Sequence, residues 1–221
     1  MNNSSFDLLM WARGDAFDIA IVIFLAGIVL RLVEILVLGR KKDLAAPKGN
    51  PVRQGIKTIF TRSVPPEGLI KFAPITYIGG YVFHICFFIA FLFFAPHIAI
   101  ITDAFGVSWP AAGRVIVESA TALAVLALIA LFLSRLNDPI RRELTTSGDY
   151  VVLALSALPL ITGYVAVNKL FGDPTFMMAL HVLSVDLLLI AFPFTKLMHA
   201  VTFAMSRYYN GTIQGRKGAE S

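Results

Sequence analysis

Apolar residues in this chain come in long unbroken runs, not in the alternating or 3.6-residue stripes of a soluble domain. Five such runs cover residues 17–39, 72–101, 111–134, 150–167 and 176–205. Each is long enough to cross a hydrocarbon layer of ~30 Å, which takes about 20 helical residues. Backbone groups in that layer must be satisfied internally, and a helix does this within one segment. The predicted fold class is therefore an all-α membrane protein. It has five transmembrane helices and a single membrane domain over residues 1–221. No internal repeat is visible. The leading stretch "MNNSSFDLLMWARGDAFD" has no basic n-region, so the first span is expected to be retained, with its N-terminus outside.

Composition agrees: the chain is 57% hydrophobic and 15% charged, with a mean hydropathy of +0.75. Basic residues are placed unevenly. Arg40, Lys41, Lys42, Lys48, Arg53, Lys57, Arg62 and Lys71 lie in the first connection, Arg135, Arg141 and Arg142 in the third, and Arg207, Arg216 and Lys217 in the tail. The opposite side carries only Arg13, Arg114 and Lys169. This asymmetry predicts an outer N-terminus and a cytoplasmic C-terminus. It also accounts for the net charge of +5 without nucleic-acid binding. Cys86 is the single cysteine, so there is no disulfide framework, no CxxC pair and no CxxCH haem-attachment motif. It is expected to be a small buried hydrophobe. In "NPVRQGIKTIFTRSV", Val52, Ile56, Ile59, Phe60 and Val64 fall at helical spacing among basic residues. Two readings stay open, an amphipathic helix on the inner surface and an ordinary basic loop. The sequon at Asn210 falls in the cytoplasmic tail and is discounted.

The four histidines carry the chemistry. His84 and His97 lie in the second span, His181 and His199 in the fifth. Ionisable rings at membrane depth are costly and usually functional. The second span runs outward and the fifth inward, so rings at matching depth are His97 with His181 and His84 with His199. His181 and His199 are 18 residues apart, about 27 Å along a helix. Metal–nitrogen bonds are only ~2 Å, so two centres are needed. Eighteen residues are about five turns, which predicts both rings on one face of the fifth helix. The 13 residues from His84 to His97 turn by about 220°. Pro96 is expected to correct this by removing the amide that would bond to the Leu92 carbonyl. Two imidazoles in trans on a flat apolar cofactor is non-covalent bis-histidine haem b ligation. Gly79 and Gly80 either admit a flat group near His84 or pack against a neighbouring helix.

The stretch "FMMALHVLSVDLLLIAFPFTKLMHAVTFAMSRYY" resembles the last transmembrane helix of the respiratory nitrate reductase gamma subunit. It shares a His near the start, the "FPFTKLMH" pattern and the 18-residue spacing. The "FHI" at Phe83–Ile85 and "GDYVVLALSALPLITGY" are also similar. The wider family includes membrane cytochromes of heterodisulfide-reductase-like and sulfite-reduction-associated complexes. The spacing in the second helix is longer here, and Pro96 stands where a glycine is expected. The resemblance implies a di-haem cytochrome b with two haem b. Its distal haem would lie on His97 and His181, its proximal haem on His84 and His199. It implies electron transfer between membrane quinol or quinone and a cytoplasmic iron–sulfur subunit, in a bacterial cytoplasmic (inner) membrane. The chain would then be the quinol-reactive subunit of a larger oxidoreductase.

Charges within the spans add candidates. Arg31 and Glu34, and Arg114 and Glu118, are spaced for internal ion pairs. Arg31 and Lys196 are candidate partners of a haem propionate. Asp103, Arg114 and Glu118 are candidate quinone-site residues at the outer face. Asp186 either bonds to a neighbouring helix or belongs to a proton path. Rival functions are a cytochrome b subunit of a hydrogenase or formate dehydrogenase, a histidine-relay transporter, and a non-redox anchor subunit. The transporter would be expected to show inverted repeats or broken half-helices.

Overall fold

The computed structural model describes residues 3–38, 44–65 and 68–219. Arg40, Lys41, Lys42 and the expected end of the first span at Gly39 lie outside them. The described residues form helices α1 (Asn3–Trp11), α2 (Phe17–Val37), α3 (Pro51–Thr61), α4 (Leu69–Phe72), α5 (Pro74–Leu92), α6 (Ala95–Phe105), α7 (Arg114–Asn137), α8 (Pro139–Leu144), α9 (Ser147–Asn168), α10 (Pro174–Ala191) and α11 (His199–Lys217). Five helical stretches are long and apolar enough to cross a membrane: Ser4–Val37, Pro74–Leu92, Arg114–Asn137, Ser147–Asn168 and Pro174–Phe194.

Three expected spans differ from these. The first helix begins well before residue 17: α1 leads through a π-helical segment, Ala12–Ala16, into α2. The polar residues at its start do not prevent helix formation, because α1 packs along α10 and tertiary packing supplies most helical stability. Gly14 absorbs the kink at φ −102°, ψ −108°. The second span, expected over 72–101, ends at Leu92 and restarts at Ala95. The fifth, expected over 176–205, ends at Ala191, passes through two 3-10 turns and restarts at His199. Pro96 and Pro193 stand at these two breaks, where each lacks the amide a continuous helix requires.

The chain divides into two compact units. The first joins Met1–Ile23 to Ala73–Ala191. Within it α5 packs on α7, α7 on α9, α9 on α10, and α10 on α1 and the π-helical segment. Its core is made largely of small side chains, with Cys86 and Ala90 of α5 against Ala120, Ala124 and Leu128 of α7. Small residues let membrane helices approach closely. Cys86 is buried, as expected of a small hydrophobe. A Cβ on Gly79 would stand 3.3 Å from the Leu131 side chain, so this glycine serves helix packing. Gly80 faces open space. Large apolar side chains such as Ile78, Ile85, Leu126 and Ile129 are exposed on outer faces, as lipid-facing positions are in a membrane bundle.

The second unit joins Phe24–Phe72 to Phe192–Ser221. The stretch left open between helix and loop is a helix: α3 forms, with Pro51 in its first turn and Asn50 Oδ1 accepting from the Arg53 amide at 3.0 Å. It packs along α11 through Gly55, Thr58, Gly211 and Gly215. A Cβ on Gly211 would meet the Thr58 hydroxyl and approach the Gln54 carbonyl to 2.6 Å. Arg207 Nη1 donates to the Ile59 carbonyl at 2.9 Å and to Ser63 Oγ at 2.7 Å. Val52, Ile56, Phe60 and Val64 remain exposed, while Ile59 turns half-buried toward α11.

Gly211→Val is expected to wedge α3 from α11 at about 1–3 kcal/mol, the usual cost of overpacking. Hydrogen exchange of the amides of residues 51–61 should accelerate, while those of α7 stay protected.

Candidate functional site

The break after α5 builds the first half of the site. Residues 93 and 94 leave the helix, and Pro96 has no N–H to return. The carbonyls of Phe91, Leu92 and Phe93 therefore need donors from elsewhere, because each unpaired buried group is costly. Trp109 Nε1 donates to the Leu92 carbonyl at 2.7 Å. The Ala112 amide donates to the Phe93 carbonyl at 2.9 Å. His97 Nδ1 lies 3.0 Å from the Phe91 carbonyl, which can only accept. That contact turns the ring of His97 back toward α5, between Phe91 and Phe94, whose rings lie 5.7 and 5.2 Å away. Pro96 thus acts as expected, and His97 rides on α6 instead of on a continuous second span.

His181 lies on α10, whose first turn is capped by Asp173 Oδ1 accepting from the Thr175 amide at 3.0 Å. Its ring packs on α9 at Thr162 and Gly163. The rings of His97 and His181 face each other with centroids 6.3 Å apart and planes inclined by 20°. The residues that would hold a metal here are these two imidazoles, whose metal–nitrogen bonds would be about 2.0 Å each. Among the described residues α5 and α10 are not a packed pair, since α7 and α9 stand between them in the packing order.

Three of the four histidines, His84, His97 and His199, place Nδ1 on a main-chain carbonyl. Nδ1 of His84 lies 2.7 Å from the Gly80 carbonyl and Nδ1 of His199 lies 2.6 Å from the Lys196 carbonyl. Nδ1 of His181 lies 3.4 Å from Thr162 Oγ1. A ring that donates through Nδ1 carries its lone pair on Nε2, the arrangement that orients metal-ligating histidines. Among the described residues no group of three or more His, Cys, Asp or Glu side chains gathers as a metal site. The imidazoles that the described residues bring face to face are thus those of His97 and His181. His84 belongs to the first unit and His199 to the second. The expectation that His181 and His199 leave one continuous helix on one face does not hold, because α10 ends at Ala191.

The charged candidates are more committed than their spacing suggested. Arg114 Nε pairs with Glu118 Oε1 at 2.6 Å, and Arg114 Nη2 reaches Asn168 Oδ1 of α9 at 3.0 Å. Asp103 is exposed on α6, and among the described residues no hydrogen bond or ion pair joins it to Arg114 or Glu118. Arg31 pairs with Glu34 at 2.7 Å and donates from Nε to the Pro193 carbonyl at 3.1 Å. It therefore caps the second helix break, a role that spacing alone did not reveal. Lys196 contributes its carbonyl to His199. Asp186 is 4% exposed, and neither of its carboxylate oxygens has a hydrogen-bond partner among the described residues. Sequence reasoning also missed Trp109, Thr162 and Gly163. The signal for Trp109 was an indole in the connection after a proline-broken span. Thr162 and Gly163 had none, since their partners come from another helix.

No protein-family model matches the chain. A protein of Nitratidesulfovibrio vulgaris (strain Hildenborough), described only as "Protein", is 37% identical to it over 134 residues, 61% of this chain. The chain spans 59% of the length of that relative.

Trp109→Phe keeps the aromatic bulk and deletes the donor to the Leu92 carbonyl. An unsatisfied buried acceptor is expected to cost about 1–3 kcal/mol, read as a lower thermal midpoint of the purified protein in detergent.

Proposed function

We propose that the chain is a membrane-embedded di-haem cytochrome b subunit of a bacterial respiratory oxidoreductase, exchanging electrons between membrane quinone and a cytoplasmic iron–sulfur subunit. The observation that carries this reading is the facing pair His97 and His181, 6.3 Å between ring centres, with the Nδ1 atoms engaged at Phe91 and Thr162. The resemblance of the fifth span to the nitrate reductase gamma subunit supports it. His97 and His181 would hold the distal haem b, and His84 and His199 the proximal one. Haem held by two histidines supplies reversible one-electron redox chemistry, tuned by its axial ligands and burial.

The chain's own residues do the rest. The Phe91 carbonyl and the Thr162 hydroxyl orient the two distal rings. Phe91 and Phe94 pack beside the His97 ring. At the outer end of α7, Glu118 would accept a proton from the quinol hydroxyl at the carboxylate oxygen its partner leaves open. Arg114, tethered to Asn168, holds that carboxylate in place. Asp103 would pass protons outward from the exposed end of α6. Arg31 and Lys196 remain the cationic candidates for haem propionates. The basic residues of the first connection, the third connection and the tail support a cytoplasmic face for the partner subunit. The exposed stripe Val52, Ile56, Phe60 and Val64, flanked by Arg53 and Lys57, supports α3 lying against the inner leaflet.

A pyridine haemochrome assay on the purified protein should find two b haems per chain. Single His→Ala changes at His84 and His199 should remove one spectral component, and those at His97 and His181 the other. Wild-type protein with one haem or none would refute the reading. Glu118→Gln should slow reduction by quinol by about 10²–10⁴-fold, the usual contribution of a positioned base, with both haems still bound. An unchanged rate would take Glu118 out of the quinone site.

A further inference from the structure

The seat of the His181 ring on α9 is built from two adjacent residues. Thr162 Oγ1 lies 2.7 Å from the Leu158 carbonyl, 3.4 Å from the Pro159 carbonyl, 3.0 Å from Ser184 Oγ and 3.4 Å from His181 Nδ1. A threonine hydroxyl has one hydrogen to give. Both carbonyls can only accept, and that of Leu158 is the nearest of these neighbours, so it takes that hydrogen. Ser184 has its own carbonyl acceptor, that of His181, at 2.7 Å. Toward His181 the Thr162 oxygen is then an acceptor. Nδ1 carries the proton and Nε2 the lone pair. The count needs no assumption about a bound metal.

Gly163 supplies the space. A Cβ there would stand 2.9 Å from Cε1 and 3.1 Å from Nδ1 of His181. Real Cβ atoms do not approach that closely, so any other residue would displace the ring. The opposing atoms belong to an imidazole whose movement is limited by Thr162 on one side and His97 on the other. Glycine is otherwise among the least favourable residues in a helix interior.

We propose that Thr162 and Gly163 are positioning residues for His181. The hydroxyl holds the ring in its Nδ1–H form, and the absent side chain lets the ring lie against α9, so that Nε2 is the coordinating nitrogen opposite His97. This rests on the di-haem reading. Donation from Nδ1 raises the basicity of Nε2 and favours the oxidised metal. Losing it should raise the midpoint potential.

The test uses the full haem-loaded chain and the spectral component that His181→Ala abolishes. Thr162→Val should retain both haems and raise the midpoint potential of that component alone. Thr162→Ser, which keeps the hydroxyl, should behave as wild type. Gly163→Ala should shift the low-spin ferric EPR signal of the same component, because that signal follows the orientation of the axial ring planes. An unchanged potential in Thr162→Val, or a shift equally large in Thr162→Ser, would overturn the role of Thr162. An unchanged EPR signal in Gly163→Ala would overturn that of Gly163. If the wild type shows no component that depends on His181, the di-haem reading has failed and the seat is tested without it. Nitrogen-15 NMR of the histidine-labelled chain should then find His181 protonated at Nδ1 in wild type and not held in that form in Thr162→Val. Protonation at Nε2 in the wild type would overturn the proposal.

Discussion

A main-chain carbonyl inside an apolar medium must find a donor, and in this chain that requirement organises the site. An unbroken helix meets it internally, but two of the five long apolar stretches stop short, near Pro96 and near Pro193. At the first break the freed acceptors are taken by Trp109, Ala112 and His97. At the second, Arg31 takes the Pro193 carbonyl and His199 that of Lys196. The bonds that repair the backbone are thus the bonds that orient imidazoles. The carbonyl that Pro96 itself leaves without a partner is that of Leu92, which Trp109 takes, while the interruption of the helix leaves the Phe91 carbonyl to aim His97.

Packing then decides which rings meet. Alanine, glycine and cysteine draw α5 onto α7. The order α5, α7, α9, α10 keeps α5 and α10 from packing directly. His97 can face His181 because α6 is a separate helix, free of the register that α5 would impose. In the second unit small residues do similar work: Gly211 and Gly215 let α11 lie close along α3. Small interfaces inside and large aliphatic residues outside suit helices surrounded by lipid.

Charge is handled locally. Arg31 with Glu34, and Arg114 with Glu118, are paired within one turn of a single helix. Each arginine uses a second donor to tie another element, Pro193 in one case and Asn168 of α9 in the other. These are charges with structural duties before any functional one. Asp186 is the exception, a buried carboxylate on α10 whose oxygens are unpaired among the described residues.

Much of the architecture was legible in the chain. Runs of about twenty apolar residues specify membrane-length helices, because hydrocarbon thickness and helical rise leave little choice. The effect of Pro96 was also readable, since a missing amide is a local property. So was the matching depth of His97 and His181, which follows from chain direction, although that their rings meet depends on α6 being a separate helix. What the sequence left undecided was set by contacts from distant elements. Whether α3 is helix or loop depended on α11 offering Gly211 to Gln54 and Thr58 and Gly215 to Gln54 and Pro51. The early start of the first helix depended on α10 covering α1. The register of His199 could not be counted from His181, because α10 ends at Ala191. The seat of His181 comes from Thr162 and Gly163 on another helix, and only tertiary packing brings a hydroxyl and a missing side chain to one imidazole.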